Sequence, residues 1–104
     1  MDALEIRNLI EQELKASDIE VIGRCAGGGY ASTELTYKGK NFTVEVQPYT
    51  YLVDKDAIPK ALVASIKFPF PSARFVTKNH FSIGDKVSGT KYSVSIHKSY
   101  NTNN

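Results

Sequence analysis

The sequence predicts a single α+β domain: an antiparallel sheet with two helices packed on one face, in the order α-β-β-β-α-β-β with room for one extra short strand. Three observations lead there. Apolar residues recur at helical spacing near the start and again around Leu62. Three consecutive strand-like runs lie between those segments. A Phe-Pro-Phe-Pro break then separates the second helical run from two further strand-like runs. A chain of 104 residues is long enough for one core and too short for two. The domain is therefore expected over residues 1–99, with residues 100–104 as a flexible tail.

Asp2 and Glu5 have the D-x-x-E spacing of a helix N-cap with its reciprocal acid, and Ile6, Leu9, Ile10 and Leu14 follow at helical spacing. This predicts a helix over residues 3–15 whose solvent face carries Arg7, Asn8, Glu11, Gln12 and Lys15. Ser17 and Asp18 interrupt it. From Ile19 the period becomes two, with Ile19 and Val21 on one face, Glu20 and Arg24 on the other, and Gly27, Gly28 and Gly29 as the stop. Residues 30–37 and 42–47 read as the second and third strands, joined by a hairpin whose basic tip is Lys38, Gly39, Lys40 and Asn41. Phe42, Val44 and Val46 should pack on the first helix. Tyr49, Tyr51 and Val53 continue the extended chain beyond Pro48.

Asp54 or Asp56 is placed to cap a short second helix that tolerates Pro59 in its first turn and buries Ile58, Leu62 and Ile66. Phe68-Pro69-Phe70-Pro71 must end that helix, because proline removes a donor and drives its predecessor into extended conformation. Residues 73–77 and 92–97 then read as strands. Residues 82–90, with Gly84 and Gly89, supply turns and the extra short strand, expected around Val87. No internal sequence repeat is visible.

The charge is sorted by position. Residues 1–54 carry nine acidic and five basic side chains, and residues 55–104 carry two acidic and eight basic ones. The second half is thus a positive pole that attracts anions although the whole chain is near neutral. No apolar run approaches the roughly 20 residues that span a bilayer, and the acidic amphipathic start is unlike a secretory signal. Location in the cytoplasm is expected unless a leader is removed, and the single cysteine, Cys25, agrees with a reducing compartment.

Several chemistries are disfavoured by what accompanies their residues. Gly27 to Gly29 are followed by a strand pattern and no G-K-[ST], so a hairpin turn is expected rather than a phosphate cradle. Cys25 has no base near it in sequence, and a buried or half-buried structural thiol is expected. His80, His97 and one cysteine do not form a zinc-ligand spacing, so neither metal nor cofactor is expected.

Glu34 on the second strand, and Glu45 followed two residues later by Gln47 on the third, sit within the order helix, three strands, helix, strand. Over roughly residues 3–78 this resembles the PD-(D/E)XK nuclease family. The resemblance implies a magnesium ion held by the two carboxylates and a water activated beside it. Glu34 stands where that family usually has Asp, and Gln47 where it has its catalytic Lys. Charge stabilisation of the attacking hydroxide would be missing.

The functional expectation is a non-catalytic binding protein, a small adaptor or inhibitor, that engages an acidic protein surface through its basic, aromatic C-terminal half. Lys67, Arg74, Lys78, Lys86 and Lys91 are the expected charges, and Phe70, Tyr92 and Tyr100 the expected anchors. A nucleic acid is the second choice of partner, because the cations are interspersed with aromatic rings. It ranks second because seven of the eight cations are Lys rather than Arg and no recognition motif organises them. No membrane partner is expected.

Overall fold

The structure is a computed structural model that describes residues 1–48 and 54–99. Helix α1 spans Ala3–Ala16 and begins as its sequence requires. The Asp2 carboxylate accepts from the Glu5 amide at 2.9 Å while the Glu5 carboxylate accepts from the Asp2 amide at 3.0 Å, so two amides without helical partners are satisfied reciprocally. Strands β1 (Glu20–Gly27), β2 (Tyr30–Tyr37) and β3 (Lys40–Gln47) follow as a meander.

Both meander turns are two-residue loops with positive φ at each position, Gly28 and Gly29 in the first, Lys38 and Gly39 in the second. That backbone matches the right-handed twist of paired strands. The glycine run is therefore a hairpin turn. The basic tip contains two residues rather than four, and so β3 starts two residues earlier than its apolar alternation suggests.

Two assignments on α1 and β1 need correction, and one cause accounts for both. A bulge between Val21 and Gly23 shifts the register, so the alternation set by Ile19 and Val21 is reversed from Gly23 onward. Arg24 consequently shares the helix side with its partner Thr33 and reaches Glu11 at 2.8 Å. Arg7 and Glu11, expected on the solvent face of α1, are buried beneath that contact. Cys25, opposite Ser32, is turned to the face without helices on an edge strand and is exposed rather than buried.

Helix α2 spans Lys60–Lys67, and Leu62, Val63 and Ile66 are its buried residues while Ile58 is half-buried ahead of it. Neither Asp54 nor Asp56 caps it. Pro59 is the N-cap and makes no side-chain cap bond, because Asp56 is used elsewhere: its carboxylate accepts from the Lys98 amide at 2.8 Å and its carbonyl from Asn79 Nδ2 at 2.9 Å. The helix ends at Phe68, ahead of the prolines.

Strands β4 (Arg74–Thr77), β5 (His80–Gly84) and β6 (Lys91–Lys98) form a second meander. The extra strand is β5 and not a segment around Val87. Val87 lies in the β5–β6 turn, where the Asp85 carboxylate accepts from the Val87 amide at 3.0 Å and holds the chain out of the ladder. The predicted extension through Tyr49, Tyr51 and Val53, and the tail at residues 100–104, lie outside the described residues.

All six strands form one antiparallel sheet in the order β1-β2-β3-β6-β5-β4. The pattern is that of two αβββ units, each a helix followed by a meander, joined where β3 pairs with β6. The order reads identically from either edge, as a local two-fold normal to the sheet requires, although no repeat is visible in the residues. Both helices cover one face, over a core of Ile6, Ile10, Leu14, Leu35, Phe42, Val44, Val46, Leu62, Ile66, Phe81, Val94 and Ile96. Among the described residues, no helix is long and apolar enough to cross a membrane.

Candidate functional site

The two halves close differently at their outer edges. In the first, α1 lies close over β1 and β2, and the Glu11 carboxylate between helix and edge strand meets Arg24 at 2.8 Å and Arg7 at 3.4 Å. In the second, α2 packs on α1 and stands away from β4, which leaves a groove of about 930 Å³. Ala57, Ile58, Val63, Ala64, Pro71 and Phe75 make it predominantly apolar. The Phe75 ring is set edge-on against Phe81 at 5.8 Å, and Phe70 packs on the same Phe81 at 6.3 Å, so the floor is anchored in the core.

The rim is cationic. Lys60, Lys67 and Lys78 all line the groove, and among the described residues no carboxylate pairs with any of them. Lys67 Nζ sits 5.5 Å from the centre of the Phe75 ring, a cation held over an aromatic face. Two exposed aromatic rings lie here too: Phe68 and Phe75 are each about half exposed or more. The groove therefore has the composition of an interface core with a polar margin.

The expected site residues divide accordingly. Lys67 and Lys78 both line the groove, as do Lys60 and Phe75, which were not expected as site residues. Arg74, opposite Ser82, is on the reverse face of β4. Lys86 and Lys91 belong to the far end of β5, where Gly84 pairs with Lys91, whereas Lys78 occupies the turn at its other end. Phe70 is a core residue, only 5% exposed, and so is unavailable as a surface anchor. Tyr92 is half-buried against the core, and Tyr100 lies outside the described residues.

The face of the sheet without helices carries the residues of the nuclease resemblance. Glu34 lies opposite Thr43 and Glu45 opposite Ser32, which sets the two acids diagonally on neighbouring strands. Each is engaged. The Glu34 carboxylate lies where a side chain on Gly23 would stand, 3.2 Å from an ideal Cβ, and Glu45 pairs with His97 on β6. Among the described residues no three His, Cys, Asp or Glu side chains group together as metal ligands would.

The His97 contact favours the charged form of the ring. Its Nδ1 is 2.9 Å from the Lys98 carbonyl and its Nε2 2.5 Å from the Glu45 carboxylate. Both partners are acceptors, so this geometry favours the protonated ring, in which both nitrogens donate. The Glu45 hydrogen bond accordingly raises His97 above the ordinary histidine value, and the same bond holds Glu45 below the ordinary carboxylate value. His80, almost completely buried with neither ring nitrogen hydrogen-bonded, is lowered by desolvation.

The signs of the two histidines oppose. The His97 contribution to stability is complete below about pH 6.5 and is lost as pH rises through its higher folded value. The His80 contribution is present above about pH 6.5 and is lost as pH falls through its lower folded value. A proton-detected titration of the two imidazole rings is expected to give midpoints on either side of about 6.5, with Glu45→Gln bringing His97 down towards that value. Coincident midpoints would contradict the ion pair.

Comparison with protein-family models, curated proteins and solved structures finds no match to this chain. The groove, not kinship, is what a functional reading must rest on.

Proposed function

We propose that this chain is a non-catalytic binding protein, an adaptor or inhibitor in character, that engages an acidic surface of a partner protein at the groove between α2 and β4. The observation that carries this reading is the coincidence of an apolar concavity with Lys60, Lys67 and Lys78, three cations that no carboxylate pairs with among the described residues. The first half of the fold supports it by contrast, since there the cations between helix and edge strand are met by Glu11. Each apolar side chain that a partner buries in the groove contributes about 1.5–3 kcal/mol, and the rim lysines chiefly speed encounter and reject basic competitors.

The test is recovery of partners by the intact chain, by Lys67→Glu with Lys78→Glu, and by Lys86→Glu with Lys91→Glu as an equal charge change elsewhere. A protein recovered by the intact chain and the control, and lost at least tenfold by the groove variant, is the expected result. Equal recovery by all three overturns the groove. If the partner recovered is instead RNA or DNA, binding falls steeply with added salt, and the nucleic-acid reading replaces this one.

A further inference from the structure

The groove has a directional layout that says what shape of partner it takes. The Asp56 carbonyl, ahead of α2, accepts from Asn79 Nδ2 at 2.9 Å, which sets the start of α2 and Lys60 towards residues 77–79, while Lys67, at the end of α2, reaches over the Phe75 ring from the opposite side. The helix thus runs antiparallel to β4, with cations at both ends and an apolar middle formed by Val63, Ala64 and Phe75. The eight residues of α2 rise about 12 Å, a length that extended chain covers in about four residues.

Beside this groove β4 is, among the described residues, the edge strand of the sheet, paired with β5. Among the described residues, no strand lies across from its outer backbone edge. A chain laid in the groove in extended form therefore meets main-chain hydrogen-bonding groups as well as side chains, which a helix cannot use. The edge is short and carries a bulge between Phe75 and Thr77, features that discourage indiscriminate pairing. A segment must add groove contacts to be held, and this gives selectivity.

Resting on the groove reading above, we propose that the occupant is an extended acidic segment of a partner protein that adds to the sheet as a seventh strand beside β4. In an extended chain residues i, i+2 and i+4 share a face. The segment places a carboxylate at i against one cationic end, an apolar side chain at i+2 against Phe75 and Val63, and a second carboxylate at i+4 against the other end. The recognised pattern is acid-x-apolar-x-acid.

The probe is the capped peptide Ser-Glu-Thr-Ile-Thr-Glu-Ser, titrated into the uniformly 15N-labelled full chain. The controls are a peptide of the same composition with the two Glu adjacent, and a helical acidic peptide with the same net charge. Expected are amide shifts confined to residues 57–67 and 74–79, slowed hydrogen exchange at amides of β4, and at least tenfold weaker binding by Lys67→Glu with Lys78→Glu. The adjacent-Glu peptide should bind at least fivefold more weakly. Groove binding by the helical peptide alone, or by the extended peptide without protection of β4, overturns strand addition while leaving the groove as the binding site. A second copy of the chain occupying the edge would appear as concentration-dependent self-association without peptide and would also overturn it. Failure of every acidic probe to shift the groove amides overturns both the strand and the acidic occupant.

Discussion

Replacing Glu11 with alanine is expected to cost about 3–5 kcal/mol of stability, the range for removing one partner of a buried ion pair and leaving the other charged. Arg7 is the charge left behind. Its side chain is 8% exposed, and one NH group donates to the Cys25 and Ser32 carbonyls at 3.2 Å each, so it is tied to the junction of β1 and β2 and cannot turn out to water without breaking those bonds. Its Nε has no hydrogen-bond partner, and the Glu11 carboxylate at 3.4 Å is the negative charge that faces it. Arg24, half exposed, can return to solvent and adds little to the loss. Urea denaturation read by far-ultraviolet circular dichroism gives the difference through the midpoint. Arg7→Met combined with Glu11→Leu should recover most of it, because a well-packed apolar pair removes the desolvation cost with the charges. A loss below about 1 kcal/mol for Glu11→Ala would mean that the pair behaves as a surface contact.

That ion network marks the point where local sequence patterns stop being sufficient. The helix over residues 3–15 and the third-strand alternation were legible, because a capping box and a period of two are written within a few residues. The bulge at Ile22 is not written that way. It is one extra residue in a run that alternates acceptably without it, and its effect is to exchange the faces of Arg24 and Cys25. Burial of Arg7 and Glu11 follows from the exchange, so an α1 face that looked solvated by composition is enclosed. Asp56 failed as a helix cap for a related reason: its bonds go to Lys98 and, through its carbonyl, to Asn79, partners distant in the chain that no local spacing announces.

The candidate site was half visible. The sorting of charge identified the later lysines, but charge along a chain does not specify which face or which end of a strand each residue occupies. Lys67 and Lys78 line one groove, from opposite ends, because α2 and β4 form its two walls, whereas Lys86 and Lys91 are carried away from it by the direction of β5. Phe70 followed the opposite course. In a Phe-Pro-Phe-Pro segment both rings look exposed, yet Phe68 stays out while Phe70 turns inward onto Phe81. The apolar half of the groove was illegible, since its walls are residues whose composition is that of any core.

The second large effect joins stability to the groove. Phe81→Ala is expected to destabilise the chain by about 3–5 kcal/mol, the usual cost of truncating a fully buried phenylalanine. The consequence for the site follows from the geometry. Phe81 supports two rings at once, Phe75 from β4 and Phe70 from the turn after α2. Its loss leaves both without their packing partner, and the groove floor sinks into the cavity. Phe81→Leu retains most of the volume and should cost about half as much or less. The two variants, examined at a temperature where both remain folded by circular dichroism, separate support from simple instability. Acidic-probe binding should fall at least tenfold for Phe81→Ala and less than threefold for Phe81→Leu. Equal binding by both folded variants would show that the Phe75 ring holds its place without Phe81, and the groove floor would then be set by α2 rather than by the core.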